Sequence, residues 1–123
     1  VDEMKRIFIL ENEPDVAEIM KLLLESEGYS ATYTLKIPDA LSRMEKYDIL
    51  LLDMRLGLHA SGRTVLAEMK KRGIKIPVIV VSAVELPRTV AEELSETYPG
   101  VDFVAKTNMR TDLVPAIKAK IGI

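Results

Sequence analysis

The chain contains no cysteine, so disulfides and thiolate metal sites are excluded. It has no tryptophan, and aromatic residues make up only 5% of it, so aliphatic side chains must build the core. A single histidine, His59, leaves no basis for an imidazole metal cluster. Apolar runs such as Ile49–Leu52 are far too short to cross a bilayer. The net charge is only −2, so no broad basic field invites nucleic acid or an anionic membrane, and neither partner is expected. No leader sequence is evident. The chain begins with Val1 rather than Met, which fits processing, trimming or excision from a longer protein. A reducing cytoplasm is the expected location.

What remains is ordinary for one globular domain of 123 residues: 48% hydrophobic and 29% charged. Short apolar runs alternate with amphipathic ones. Arg6–Leu10, Ala31–Thr34, Ile49–Leu52, Pro77–Val81 and Val101–Ala105 read as strands. Between them Pro14 opens a helix carrying Val16, Ile19, Met20 and Leu23 at helical spacing, closed by Gly28. Ile37-Pro38-Asp39 opens a short helix with Ala40, Leu41 and Met44. A third spans Thr64 to Lys71 with Val65, Leu66 and Met69 inward, stopped by Gly73. Its basic end, Lys70-Lys71-Arg72, reads as a solvated helix terminus. A fourth runs from Pro87 to about Tyr98, and a fifth from Thr111 to Lys120. Pro115 is awkward there and implies a late start or a bend. Strands and helices in strict alternation predict an α/β fold: five parallel strands, right-handed crossovers, helices on both faces.

In such sheets, functional residues gather beyond the carboxyl ends of the strands. Those positions hold Glu11, Asn12 and Glu13, then Asp53, then Ser82, then Lys106. Each has an ordinary explanation taken alone: helix starts for the glutamates, a turn for Ser82, surface for Lys106. Together they form a set of oxygen donors, a hydroxyl and an ammonium. Clustered carboxylates repel unless a cation intervenes, and oxygen donors suit a hard ion such as Mg2+. A carboxylate can also attack phosphorus and form an acyl phosphate.

Four segments in order resemble the receiver domain of two-component response regulators. They are Ile9–Pro14, Asp48–Asp53, Ile76–Ala83 and Asp102–Lys106. The resemblance spans nearly the whole chain. It implies a flavodoxin-like (βα)5 sheet in the order 2-1-3-4-5 and a receiver domain over residues 1–123, with no output domain in this chain. It implies that Asp53 takes phosphoryl from a sensor histidine kinase or a phosphotransfer protein. It further implies that Glu11, Asn12, Asp53 and the backbone carbonyl of Arg55 hold Mg2+, that Ser82 and Lys106 attend the phosphoryl group, and that Phe103 is an aromatic switch. A homodimer through the last two helices is an assembly known in the family.

The chain departs from the family pattern at three places. Asn12 stands where an aspartate is usual, so metal binding is expected to weaken, with Glu13 a candidate to compensate. Gly57 replaces a proline in a loop, Leu56–Gly62, that looks one residue longer than usual. Thr107 follows Lys106 where the family has proline, and a cis peptide is very unfavourable before a non-proline. These departures also motivate a second expectation, a degenerate receiver acting as a phosphorylation-independent interaction module. A flavin- or nucleotide-binding enzyme is a third reading. It lacks a glycine-rich phosphate loop after the first strand, where Glu11-Asn12-Glu13 would repel phosphate.

Overall fold

The computed structural model describes residues 4–56, 61–83 and 87–122. The elements follow one another as β1 (Arg6–Leu10), α1 (Pro14–Ser26), β2 (Ser30–Thr34), α2 (Ile37–Arg43), β3 (Ile49–Leu52), α3 (Gly62–Arg72), β4 (Val78–Ser82), α4 (Arg88–Thr97), β5 (Val101–Ala105) and α5 (Met109–Ile121). Short 3-10 turns at Met44–Lys46 and Lys106–Asn108 join α2 to β3 and β5 to α5. All strand pairs are parallel, in the order β2-β1-β3-β4-β5.

The central strands are buried on both faces, and this is why they read as continuous apolar runs. Alternate residues go to opposite layers. Ile7, Ile9, Ile49, Leu51, Ile79 and Val81 pack against α1 and α5 through Met20, Leu24, Leu113 and Ile117. Phe8, Leu10, Leu50, Leu52, Val78 and Val80 pack against α2, α3 and α4 through Leu41, Val65, Leu66, Met69 and Leu94. Two of the scarce aromatics are used together. Phe8 and Tyr47 stack with centroids 4.4 Å apart, with Arg43 over one ring and Arg6 over the other.

Helix ends follow the expected chemistry. Pro14 sits at the first position of α1. Gly28 and Gly73 both have positive φ, which a side chain would oppose. Their backbones close the two helices with paired bonds, Gly28 N–H to Glu25 O with Tyr29 N–H to Leu24 O, and Gly73 N–H to Lys70 O with Ile74 N–H to Met69 O.

Three expectations need correction. In α1 the buried stripe is Ala17, Met20 and Leu24, whereas Ile19 points outward at 46% exposure. α3 starts at Gly62 rather than Thr64, for a packing reason given below. α5 starts early, at Met109, and continues without a break past Pro115. The 3-10 turn at Lys106–Asn108 feeds directly into it, so its first turn forms upstream of the proline. Pro115 is exposed and cannot donate to the carbonyl of Thr111, itself exposed to water.

Pro115→Ala should therefore stabilise the domain, because it restores a helical hydrogen bond and sacrifices no packing. The gain is about 2–3 kcal/mol, the helix-interior penalty less the proline's rigidity in the unfolded chain. Urea denaturation would register it as a raised midpoint at unchanged slope.

Candidate functional site

The backbone ladder runs one residue past the strands at the carboxyl edge. Glu11 N–H donates to Thr34 O at 3.2 Å, and Asp53 N–H donates to Leu10 O at 3.0 Å. Leu10 pairs with Leu52 in register, so the two acidic residues that follow emerge side by side. Both are buried, Glu11 at 1% exposure and Asp53 at 4%.

Two buried carboxylates on neighbouring strands repel strongly in a poorly solvated setting. Lys106 answers this from the end of β5. Its Nζ lies 2.8 Å from Glu11 Oε2 and 3.4 Å from Asp53 Oδ1. Glu13 N–H adds a longer bond of 3.3 Å to Glu11 Oε1. Burial pushes the Glu11 carboxyl above its ordinary pKa, the bond from Lys106 pulls it down, and the nearby Asp53 charge pushes it up again.

The remaining candidates surround this triad unequally. Asn12 is half-buried directly after Glu11. Glu13 is exposed, and its backbone opens α1 by accepting from Ala17 N–H, so it acts as a helix start. Ser82 ends β4 at 7% exposure, paired in register with Ala105, the residue before Lys106. Phe103 pairs with Val80 and packs half-buried into the layer with α4. Ser82 lies two residues beyond Val80, and so on the same face of the sheet as Phe103. Arg55 is exposed and bridges to Ser61 across the loop. Gly57 and His59 lie outside the described residues. No cis peptide occurs among the described residues, in keeping with Thr107 after Lys106.

Sequence reasoning noted Gly62 only as part of a loop and missed its function. Gly62 N–H donates to Met54 O at 2.9 Å, which brings the first turn of α3 against the residue after Asp53. A Cβ at Gly62 would lie 2.9 Å from the Asp53 carbonyl oxygen and 2.8 Å from Met54 Sδ. That approach starts α3 two residues early and braces the Asp53 backbone. The only signal in the chain was a glycine at a helix start, where a better helix former would serve equally if space allowed.

Among the described residues, no three of His, Cys, Asp and Glu cluster as a metal site. A hard cation would instead rely on the two buried carboxylates with the Asn12 amide oxygen and backbone carbonyl oxygen. That all-oxygen set fits Mg2+ in kind, with one formal charge fewer than three carboxylates would supply.

Comparison with known proteins places this geometry. The sequence model of the response regulator receiver domain matches residues 7–118. The chain is 34% identical over 121 residues to the sensory transduction protein RegX3 of Mycolicibacterium smegmatis, covering 94% of this chain and 50% of that protein. It is 32% identical to the transcriptional regulatory protein DltR of Streptococcus agalactiae, covering 95% of this chain and 58% of that one. The chain thus spans about half the length of these curated relatives. Among solved structures, the response regulator protein TrrA from Thermotoga maritima, in complex with Mg2+ and BeF, superposes with a TM-score of 0.77 at 26% identity, covering 94% of this chain and 98% of that one. A CheY-like receiver domain from Methanospirillum hungatei shares the fold, with a TM-score of 0.79 at 24% identity, covering 97% of this chain and 94% of that one.

Two outcomes follow from the site's geometry. Asp53→Asn should lower the Glu11 pKa, read from its carboxyl carbon shift across a pH titration. Because the folded value lies above the unfolded one, ionised Glu11 opposes folding in full above its folded pKa, and that opposition fades as pH falls from the folded value towards the unfolded one, below which it is gone. The substitution should therefore relieve that opposition at neutral pH and progressively less on acidification, read as a pH-dependent rise in the urea midpoint relative to the parent. Gly62→Ala should cost about 1–3 kcal/mol, since a backbone oxygen must move, and urea denaturation would show it.

Proposed function

The chain belongs to the response regulator receiver domain family, and from that membership we propose that Asp53 is its phosphoacceptor. Receiver domains of response regulators work with sensor histidine kinases, and a phosphohistidine on such a kinase or on a phosphotransfer protein is the donor in this reading. An Asp53 carboxylate oxygen attacks phosphorus. The P–O bond forms as the donor's P–N bond breaks, and the leaving imidazole nitrogen takes up a proton.

The observation that carries the proposal is the joint contact of Lys106 with Glu11 and Asp53. Before transfer, Lys106 offsets the repulsion between two buried carboxylates. After transfer, phosphoryl oxygens lie within reach of the same ammonium, which then leaves Glu11 less fully paired. Ser82, at the end of the neighbouring strand, is placed to donate a hydrogen bond to a phosphoryl oxygen. Phe103, on the same face as Ser82, is the aromatic residue whose packing would respond.

Receiver domains bind Mg2+ at this site in general. In this chain Glu11, Asp53, the Asn12 amide oxygen and the Arg55 carbonyl would hold it. When bound, it supplies positive charge beside the transferring oxygens. Asn12 lowers the charge available to attract it.

Asn12 also favours a second reading, an interaction module that works without phosphorylation. Lys106 already leaves the pair of carboxylates with only one net negative charge. In that case Asp53→Ala would leave partner binding unchanged.

Incubation with Mg2+ and a small acyl phosphate should add one phosphoryl group by intact mass, and Asp53→Asn should abolish it. Failure to label, under conditions that preserve aspartyl phosphate, would overturn the phosphoacceptor assignment. Asn12→Asp should tighten Mg2+ binding about tenfold, the scale of one added ligand charge at a partly exposed site. Equal affinities by calorimetry would show that Asn12 is not near the ion.

A further inference from the structure

The end of the sheet opposite the acidic cluster holds a groove of about 650 Å3. It lies between the last turns of α3 and α4, and the segment 73–77 leading into β4 forms its side. Its floor is buried Leu66, Met69 and Val78, and its walls include half-buried Ile74, Ile76 and Tyr98. A smaller extension of about 280 Å3 continues past Pro77 and Pro99 to Lys120. Lys70 and Lys75 line the main groove, Lys120 lines the extension, and no aspartate or glutamate lines either.

Lys70 belongs to the basic helix end that the sequence shows and the acidic site leaves unused, and Lys75 follows it in the segment leading to β4. A helix terminus can recruit cations to its bare carbonyls. Here that need is already met in part, because Gly73 and Ile74 N–H groups close the carbonyls of Lys70 and Met69. Arg72 pairs with Glu68 along the helix. Lys70 makes only a 3.4 Å contact with Thr97 O and sits 5.9 Å from the Tyr98 ring centroid. Neither Lys70 nor Lys75 has a carboxylate partner among the described residues. Unpaired ammonium groups beside an apolar trough complement one kind of ligand, an apolar body with an anionic head. The volume lies within the range of small-molecule sites, about 300–1,000 Å3.

We propose that this groove binds an amphipathic carboxylate, a medium-length aliphatic acid. Its chain lies over Met69, Ile74, Ile76 and Tyr98, and its carboxylate is met by Lys70 and Lys75. The site is separate from Asp53 and does not depend on phosphoryl chemistry.

The test is an amide NMR titration of the full chain with sodium decanoate below its micelle concentration. Decanol and decyltrimethylammonium serve as neutral and cationic controls. Decanoate should give saturable shifts centred on Ile74, Ile76 and Tyr98. Decanol, and decanoate with the Lys70→Glu/Lys75→Glu double variant, should bind about tenfold more weakly, because both lysines are exposed and can be reversed without disturbing the core. The cationic control should not bind. Decanol binding as tightly as decanoate, or undiminished binding by the double variant, would overturn the proposal. So would concentration-dependent self-association through the groove that decanoate does not displace, since a second copy would then be the occupant.

Discussion

Two like charges held next to each other inside a protein need a reason to stay there. Here the reason is the backbone. The parallel ladder continues one step beyond β1 and β3, and that step fixes Glu11 and Asp53 on adjacent strands whatever their side chains prefer. The apolar layers above and below keep water away, so the repulsion is only weakly screened. Lys106 reaches the pair from the end of β5, two strands away from β3. Sheet order and strand length both bear on one ammonium reaching two carboxylates.

Much of this was readable in the chain because burial on both faces writes a simple pattern. Ile49–Leu52 and Val78–Val81 could hardly be anything but central strands, and the alternation with helices then decided which residues share an edge. The rule that sites lie beyond strand ends brought Glu11, Asp53, Ser82 and Lys106 forward before any contact was known. What stayed hidden was tertiary. Gly62 matters because a carbonyl and a thioether occupy the space a methyl would need, and no local pattern reports a neighbour nine residues back. The start of α5 was hidden by a polar 3-10 turn and by a proline that a helix interior normally refuses but tolerates here on its wet side. Glu13 was a candidate to compensate for Asn12, yet two residues beyond Glu11 the chain has already turned into α1, and its side chain is exposed.

The two ends of the sheet differ in chemical character. The carboxyl edge is acidic, compact and internally paired. The amino edge near α3 and α4 is apolar with a rim of lysines. The two are joined by α3, whose first turn rests on the backbone after Asp53 and whose last turn forms one wall of the groove. A rigid rod spanning both places gives them a shared mechanical element.

α4 is secured differently from its neighbours. Of its ten residues only Leu94 is buried, and an exposed ion pair between Arg63 and Glu93 adds a tie to α3. α5, by contrast, sinks Leu113, Val114 and Ile117 into the core. Opening free energies within one fold vary with such anchoring, from nearly zero at loosely held segments up to the global value. Amide exchange with solvent would accordingly be fastest among the helices in α4, and slowest in β1 and β3. The fold concentrates its buried contacts under the acidic residues, and the helix that follows Ser82 in the chain is the one with the least side-chain anchorage, so a firmly held strand is paired with a lightly held helix.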